Sequence, residues 1–141
     1  MSKFKAFMAQ NKKKHENLKF KLSADFVDED GNLLEWEIKH LTAGENERIQ
    51  NECLDKVPVA GKPGQFTREL NMGKYNTKLI CHALVTPDLN DKDLQDSYGV
   101  MGAEQLVLTM LSAVDYNRLS AKILEFNGLK DINEDVEEAK N

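Results

Sequence analysis

Leu18-Lys19-Phe20-Lys21-Leu22 and Leu34-Glu35-Trp36-Glu37-Ile38-Lys39 are the two stretches that decide the fold. In each, apolar residues alternate with charged ones, the period of a strand with one face on a core and the other in water. Between them lies Asp28-Glu29-Asp30-Gly31-Asn32, where Gly31 and Asn32 reach positive φ at low cost. The spacing predicts a β-hairpin over roughly residues 18–40.

Outward from this hairpin the pattern changes. Thr42-Ala43-Gly44-Glu45 has the capping-box form and predicts a helix over about 43–55, with only Ile49, Cys53 and Leu54 able to face a core. Val57 and Val59 before Gly61-Lys62-Pro63-Gly64, and Phe66 after it, predict a second hairpin between Lys56 and Leu70. Residues 72–86 read as a helix with Tyr75, Leu79, His82 and Ala83 on one face, stopped by Pro87. Pro87 to Gly102 reads as an ordered, glycine-punctuated loop. From Ala103 the residues Leu106, Val107, Met110, Leu111 and Val114 recur at steps of three and four, an amphipathic helix whose stripe belongs to the core. Asp115 is the expected cap of a further helix lined by Tyr116, Leu119, Ile123 and Phe126 and ended by Gly128. Towards the N-terminus, Phe4, Phe7 and Met8 have the spacing of one or two turns of amphipathic helix. Strands come first and helices later, without β-α-β alternation, so the fold class is α+β. The expected architecture is N-terminal β-hairpins forming a small antiparallel sheet, packed with a mainly helical C-terminal half. The expected divisions are a flexible basic arm over 1–17, one domain over 18–128 and an acidic mobile tail over 129–141.

The 141 residues suffice for one domain that needs no disulfide or metal to hold its core. The net charge of -5 argues against a general nucleic-acid binder, which needs a basic face to displace counterions from phosphates. That charge is unevenly spread. Residues 1–21 hold seven lysines and one acid, a net of +6, and residues 129–141 hold five acids and two lysines, a net of -3, leaving -8 on the body between them. Lys12-Lys13-Lys14 lacks aromatic neighbours and a groove-reading element, and reads as a solvated linker rather than a nucleic-acid arm. No apolar run approaches the ~20 residues of a membrane span, and the N-terminus lacks a signal-peptide core. Neither a membrane nor a nucleic acid is therefore expected as a partner. Cys53 and Cys81 are too few for a disulfide framework and suit a reduced, cytoplasmic setting.

Catalytic and metal chemistry find little support. The two cysteines are far apart, and His15, His40 and His82 show no ligand spacing. A calcium loop begun at Asp28 has Leu33 sixth and Lys39 twelfth, and one begun at Asp91 has Asp96 and Gly102 there, where glycine and glutamate are needed. Gly61-Lys62-Pro63-Gly64 lacks the spacing and the following helix of a phosphate loop, and no nucleophile elbow occurs. The expectation is a non-enzymatic protein with no cofactor, metal or catalytic residue.

Two further stretches carry a resemblance. Asp25-Phe26-Val27-Asp28-Glu29-Asp30-Gly31-Asn32 leads into Leu34-Glu35-Trp36-Glu37-Ile38, and Pro87-Asp88-Leu89-Asn90 precedes Leu94-Gln95-Asp96-Ser97-Tyr98-Gly99-Val100-Met101-Gly102-Ala103-Glu104. With the opening Phe4-Lys5-Ala6-Phe7-Met8-Ala9-Gln10-Asn11, the chain resembles the XkdN-like tail assembly chaperones of Gram-positive phages and defective prophages, from about residue 4 to the C-terminus. The resemblance implies a protein of the bacterial host cytoplasm that binds the tape measure protein, keeps its apolar helices soluble while the tail tube forms, and is absent from the finished particle. It also implies two products of one reading frame, related by ribosomal slippage. Lys140-Asn141 is compatible with an A-rich slippery site, so this chain is read as the short product. The tail tube protein and the frameshifted longer form are further candidate partners, and homo-oligomerisation is left open.

Two groups of residues are candidates for partner binding. Tyr98, Val100 and Met101 lie in the glycine-flanked loop, where exposed apolar groups can dock a helix. Phe4, Phe7 and Met8 form the second, a short apolar end awaiting another protein. The competing reading from another class is a structural tail or neck subunit retained in the virion. A third is a nucleic-acid accessory protein acting through Lys12–Lys14.

Overall fold

The expected hairpin over residues 18–40 is made. In a computed structural model that describes residues 2–129, β1 (Leu18–Lys21) pairs antiparallel with β2 (Glu35–Ile38), setting Leu18 opposite Ile38, Lys19 opposite Glu37, Phe20 opposite Trp36 and Lys21 opposite Glu35. Alternation puts Leu18, Phe20, Trp36 and Ile38 on the core face, and Trp36 and Ile38 are fully buried. The other face carries opposed charges, among them Lys19 Nζ 3.9 Å from Glu37. In the connecting loop the Asp28 carboxylate accepts from the backbone N–H groups of Asp30 (2.9 Å) and Asn32 (2.8 Å), and Gly31 adopts a φ of +83°. These bonds, that from Asn32 foremost, hold the Asp28 carboxyl below its usual range.

A third strand joins on the free edge of β2. β5 (Leu84–Thr86) pairs antiparallel with β2, giving the order β1-β2-β5. The helix expected to run to residue 86 stops at Ala83, making α2 Met72–Ala83. Pro87 pushes its predecessor out of the helical region, and the short apolar segment left over satisfies its backbone on β2. Ending there also changes the buried face: Ile80 is inside, whereas His82 is exposed.

The second hairpin forms, starting two residues early, as β3 (Leu54–Pro58) with β4 (Phe66–Leu70). It is a separate two-stranded sheet rather than an extension of the first. Thr67-Arg68-Glu69 gives β4 no apolar face to lay on a core, so only its root packs inward, through Leu70 and the neighbouring Cys53. Two of its facing pairs, Asp55 with Glu69 and Lys56 with Arg68, bear like charges. Asp55 is compensated by Lys74 Nζ (2.9 Å) and the side-chain amide of Asn71 (2.7 Å), which also hold its carboxyl below the usual range. Lys56 lies over the Phe66 ring at 4.3 Å.

The helices are locally punctuated. α1 (Ala43–Glu52) begins with the full capping box, Glu45 N–H donating to Thr42 Oγ1 and Thr42 N–H to Glu45 Oε1, both at 3.1 Å. The expected loop after Pro87 contains a short helix, α3 (Lys92–Ser97), capped by Asp91. The amphipathic segment from Ala103 is broken: α4 ends at Met110, Leu111 turns extended, and Ser112 caps α5 (Ala113–Phe126). The cap is thus Ser112 rather than Asp115, which sits inside the first turn. Restarting the helix resets the phase of its stripe, so Val114, expected in the core, is 57% exposed. α5 closes as read, with Gly128 at φ +66° and the 6→1 and 5→2 bonds from Leu129 to Leu124 and from Gly128 to Glu125. α2 is the central helix, packing against α1, α4 and α5. Its Leu79 and Ile80 share the core with Leu106, Val107, Leu119 and Ile123.

At the N-terminus Lys5–Phe7 and Ala9–Asn11 form two 3-10 turns with no buried residue, in place of an amphipathic helix. So few residues cannot hold an α-helix without a surface beneath them. Most of the acidic tail read over 129–141 lies outside the described residues.

Asn127 stitches the start and end of the domain together. Its Oδ1 accepts from Leu41 N–H at 2.7 Å, while its Nδ2 donates to Ile123 O at 3.0 Å and reaches Lys39 O at 3.5 Å. Asn127→Ala strands the partly buried Leu41 N–H and should cost about 1–3 kcal/mol in urea unfolding. Ile38→Ala empties a fully buried site and should cost about 2–5 kcal/mol, while Val114→Ala should stay within about 0.5 kcal/mol. A Val114→Ala loss as large as that of Ile38→Ala would contradict the helix break at Leu111–Ser112.

Candidate partner-docking surface

The loop after α3 is built around one side chain that sequence reasoning passed over. Gln95 donates from Nε2 to Leu89 O at 2.8 Å and accepts at Oε1 from Gly102 N–H at 3.0 Å, clamping both ends of the loop. Its own carbonyl accepts from the N–H groups of Tyr98 and Val100, each at 3.1 Å. Gly99 (φ +68°) and Gly102 (φ +95°) supply the left-handed turns between these anchors. The three apolar residues therefore diverge. Val100 packs against the core, Tyr98 is 37% exposed, and Met101 is thrust outward at 89% exposure.

Met101 stands at the foot of α4, where two hollows meet. One, of about 460 Å³, is lined by Met101 with Cys81, His82 and Asn90. The other, of about 590 Å³, lies between α2, α4 and α5, with Thr77, Lys78, Leu108 and Tyr116 in its wall. Glu104 and Gln105 line both, so the first turn of α4 is a ridge with an apolar group on each flank. Leu108, 57% exposed, is the second such group and was not singled out from the sequence. The available signal was its phase, which falls off the stripe of Leu106, Val107, Met110 and Leu111.

The walls are fixed by polar contacts. Lys78 Nζ lies 2.9 Å from Glu104 and 3.6 Å from Glu52, and the bond to Glu104 foremost holds its ammonium above the usual range. Thr77 and Tyr116 share a hydroxyl–hydroxyl hydrogen bond at 2.8 Å, and Thr77 Oγ1 also donates to Gly73 O at 3.0 Å. Burial pushes the Cys81 thiol up to about 11, so it is a protonated, unreactive part of the surface, and burial likewise raises that of Cys53. Among the described residues no group of three or more His, Cys, Asp or Glu is placed to hold a metal. No described helix is long and apolar enough to cross a membrane.

Phe4, Phe7 and Met8 line neither hollow. Phe7 is 82% exposed, and Phe4 meets it edge-on at 6.3 Å. The two groups of candidate residues thus share no hollow and form no composite patch.

Comparison with known proteins agrees with this architecture. A family model described as "Phage XkdN-like tail assembly chaperone protein, TAC" matches residues 4–140. Phage-like element PBSX protein XkdN of Bacillus subtilis (strain 168) is 28% identical over 128 residues, covering 89% of this chain and 85% of that protein. The uncharacterized protein YqbN of the same strain is 26% identical over 125 residues, covering 88% and 83%. A crystal structure of the protein yqbn superposes with a TM-score of 0.74 at 20% identity, covering 92% of this chain and 99% of that one, which shows a common fold. The match over nearly the whole length establishes that the chain belongs to the phage XkdN-like tail assembly chaperone family.

Proposed function

We propose that this chain acts, without catalysis and in the cytoplasm of the bacterial host, by binding the tape measure protein and keeping it soluble while the tail tube assembles. The observation that carries this reading is the α4 ridge, with Met101 and Leu108 exposed on its two flanks. A long helix with an apolar stripe either self-associates or lays that stripe into a partner's groove. Two hollows with few exposed apolar groups suit a contact that forms and then yields to the polymerising tube, because small interfaces dissociate readily. Within the same proposal, the tail tube protein and a frameshifted longer product of this reading frame are further partners, and the chain leaves before the particle is complete.

Co-expression with the tape measure gene of the same tail cluster tests the reading. Soluble tape protein should rise several-fold with the chaperone present and fall back when it carries Tyr98→Asp with Met101→Asp. Equal clumping with and without the chaperone removes the proposed role, and an unchanged yield from the folded double variant removes the loop as the docking element. Mass spectrometry of purified particles should find the chain absent; stoichiometric amounts would make it a structural subunit instead.

A further inference from the structure

A basic groove of about 670 Å³ lies on a part of the surface that shares no lining residue with the α4 ridge. Lys12, Lys13 and Lys14 form one wall, and Lys39 stands on the other, just beyond β2. Among the described residues none of these four lysines is ion-paired. Two of the groove's lining residues belong to a column of rings. His15 meets His40 at 4.6 Å between centroids, and His40 stacks on Phe126 at 3.9 Å and 25°. The basic segment 12–15, which the sequence reads as a plain linker, is thereby fastened to the C-terminal end of α5.

That column also includes the end of α5. Phe126 is the last residue of α5, Asn127 is bonded to the groove-wall segment at Leu41, and the closing turn delivers Leu129 beside it. Residues 130–141 follow directly and hold Asp131, Glu134, Asp135, Glu137 and Glu138 against Lys130 and Lys140. We propose that this acidic segment occupies the basic groove of its own chain, its carboxylates pairing with Lys12, Lys13, Lys14 and Lys39. Twelve residues extend to at most about 40 Å, ample for a groove that begins at their point of departure. Short tethers hold such a segment at an effective concentration on the order of millimolar, so the chain's own segment outcompetes that of another copy. Opposite charges of -3 on the segment and four lysines in the groove supply the complementarity. The inference does not depend on which tail protein the α4 ridge meets.

Backbone amide NMR on the full chain tests it. The spectrum is compared with that of a variant carrying Asp131→Asn, Glu134→Gln, Asp135→Asn, Glu137→Gln and Glu138→Gln. The expected result is a set of shift changes concentrated on residues 12–17 and 39–43. The difference should vanish at about 1 M salt, where screening shortens to about 3 Å, and should not change on dilution. In the reciprocal variant Lys12→Gln, Lys13→Gln and Lys14→Gln, the amides of residues 131–138 should move. Changes confined to residues next to Leu129, or scattered away from the groove, overturn the proposal. Changes that weaken on dilution overturn it as well, because they assign the groove to a second copy's segment.

Discussion

Residues 36–41 are the segment that joins the strands of this domain to its helices. Trp36 and Ile38 are buried in the core, and β2 is the middle strand, bonded to β1 on one edge and β5 on the other. Beyond the strand, Lys39 N–H donates to Ala83 O at 3.0 Å, and Leu41 N–H finds the side chain of Asn127. Buried backbone groups must be paired, and here the pairs come from the first hairpin, the end of α2 and the end of α5. One short stretch therefore joins the N-terminal strands to the helical half. The ring column at His40 ties the same stretch to the basic groove on one side and to the end of α5 on the other.

What was legible in the sequence was what is decided locally. Alternation over residues 18–40 gave strand and face, because only one phase of a period-two pattern turns Trp36 and Ile38 away from water. The box at Thr42 and the stop at Gly128 were legible because capping is a matter of three or four adjacent residues. β5 was not, since Leu84 continues the stripe of α2 and three residues become a strand only when β2 offers an edge. The break at Leu111–Ser112 was hidden for a related reason. The apolar spacing runs on across it, and the serine cap prevails only once two separate helices, α4 and α5, each pack on α2.

The candidate surface divides along the same line. Glycines on both sides marked Tyr98, Val100 and Met101 as a turn, but which of them points outward depends on Gln95, whose two hydrogen bonds reach seven residues forward and six back. Val100 was drawn inward by that clamp and Met101 pushed out. His15 and His40 showed no ligand spacing and hold none of the geometry of a metal site, yet folding brings their rings together across twenty-five positions of sequence. Pairings over such distances are properties of the packed domain, not of any window of residues.

The placement of charge explains why a protein with so much exposed strand edge need not associate through it. β3 and β4 present polar residues on both faces, and their facing like charges make a flat extension of the ladder by another copy unfavourable. Exposed apolar side chains do occur on the strands, Phe66 on β4 and Val85 on β5, so it is the charged and polar positions around them that guard those edges.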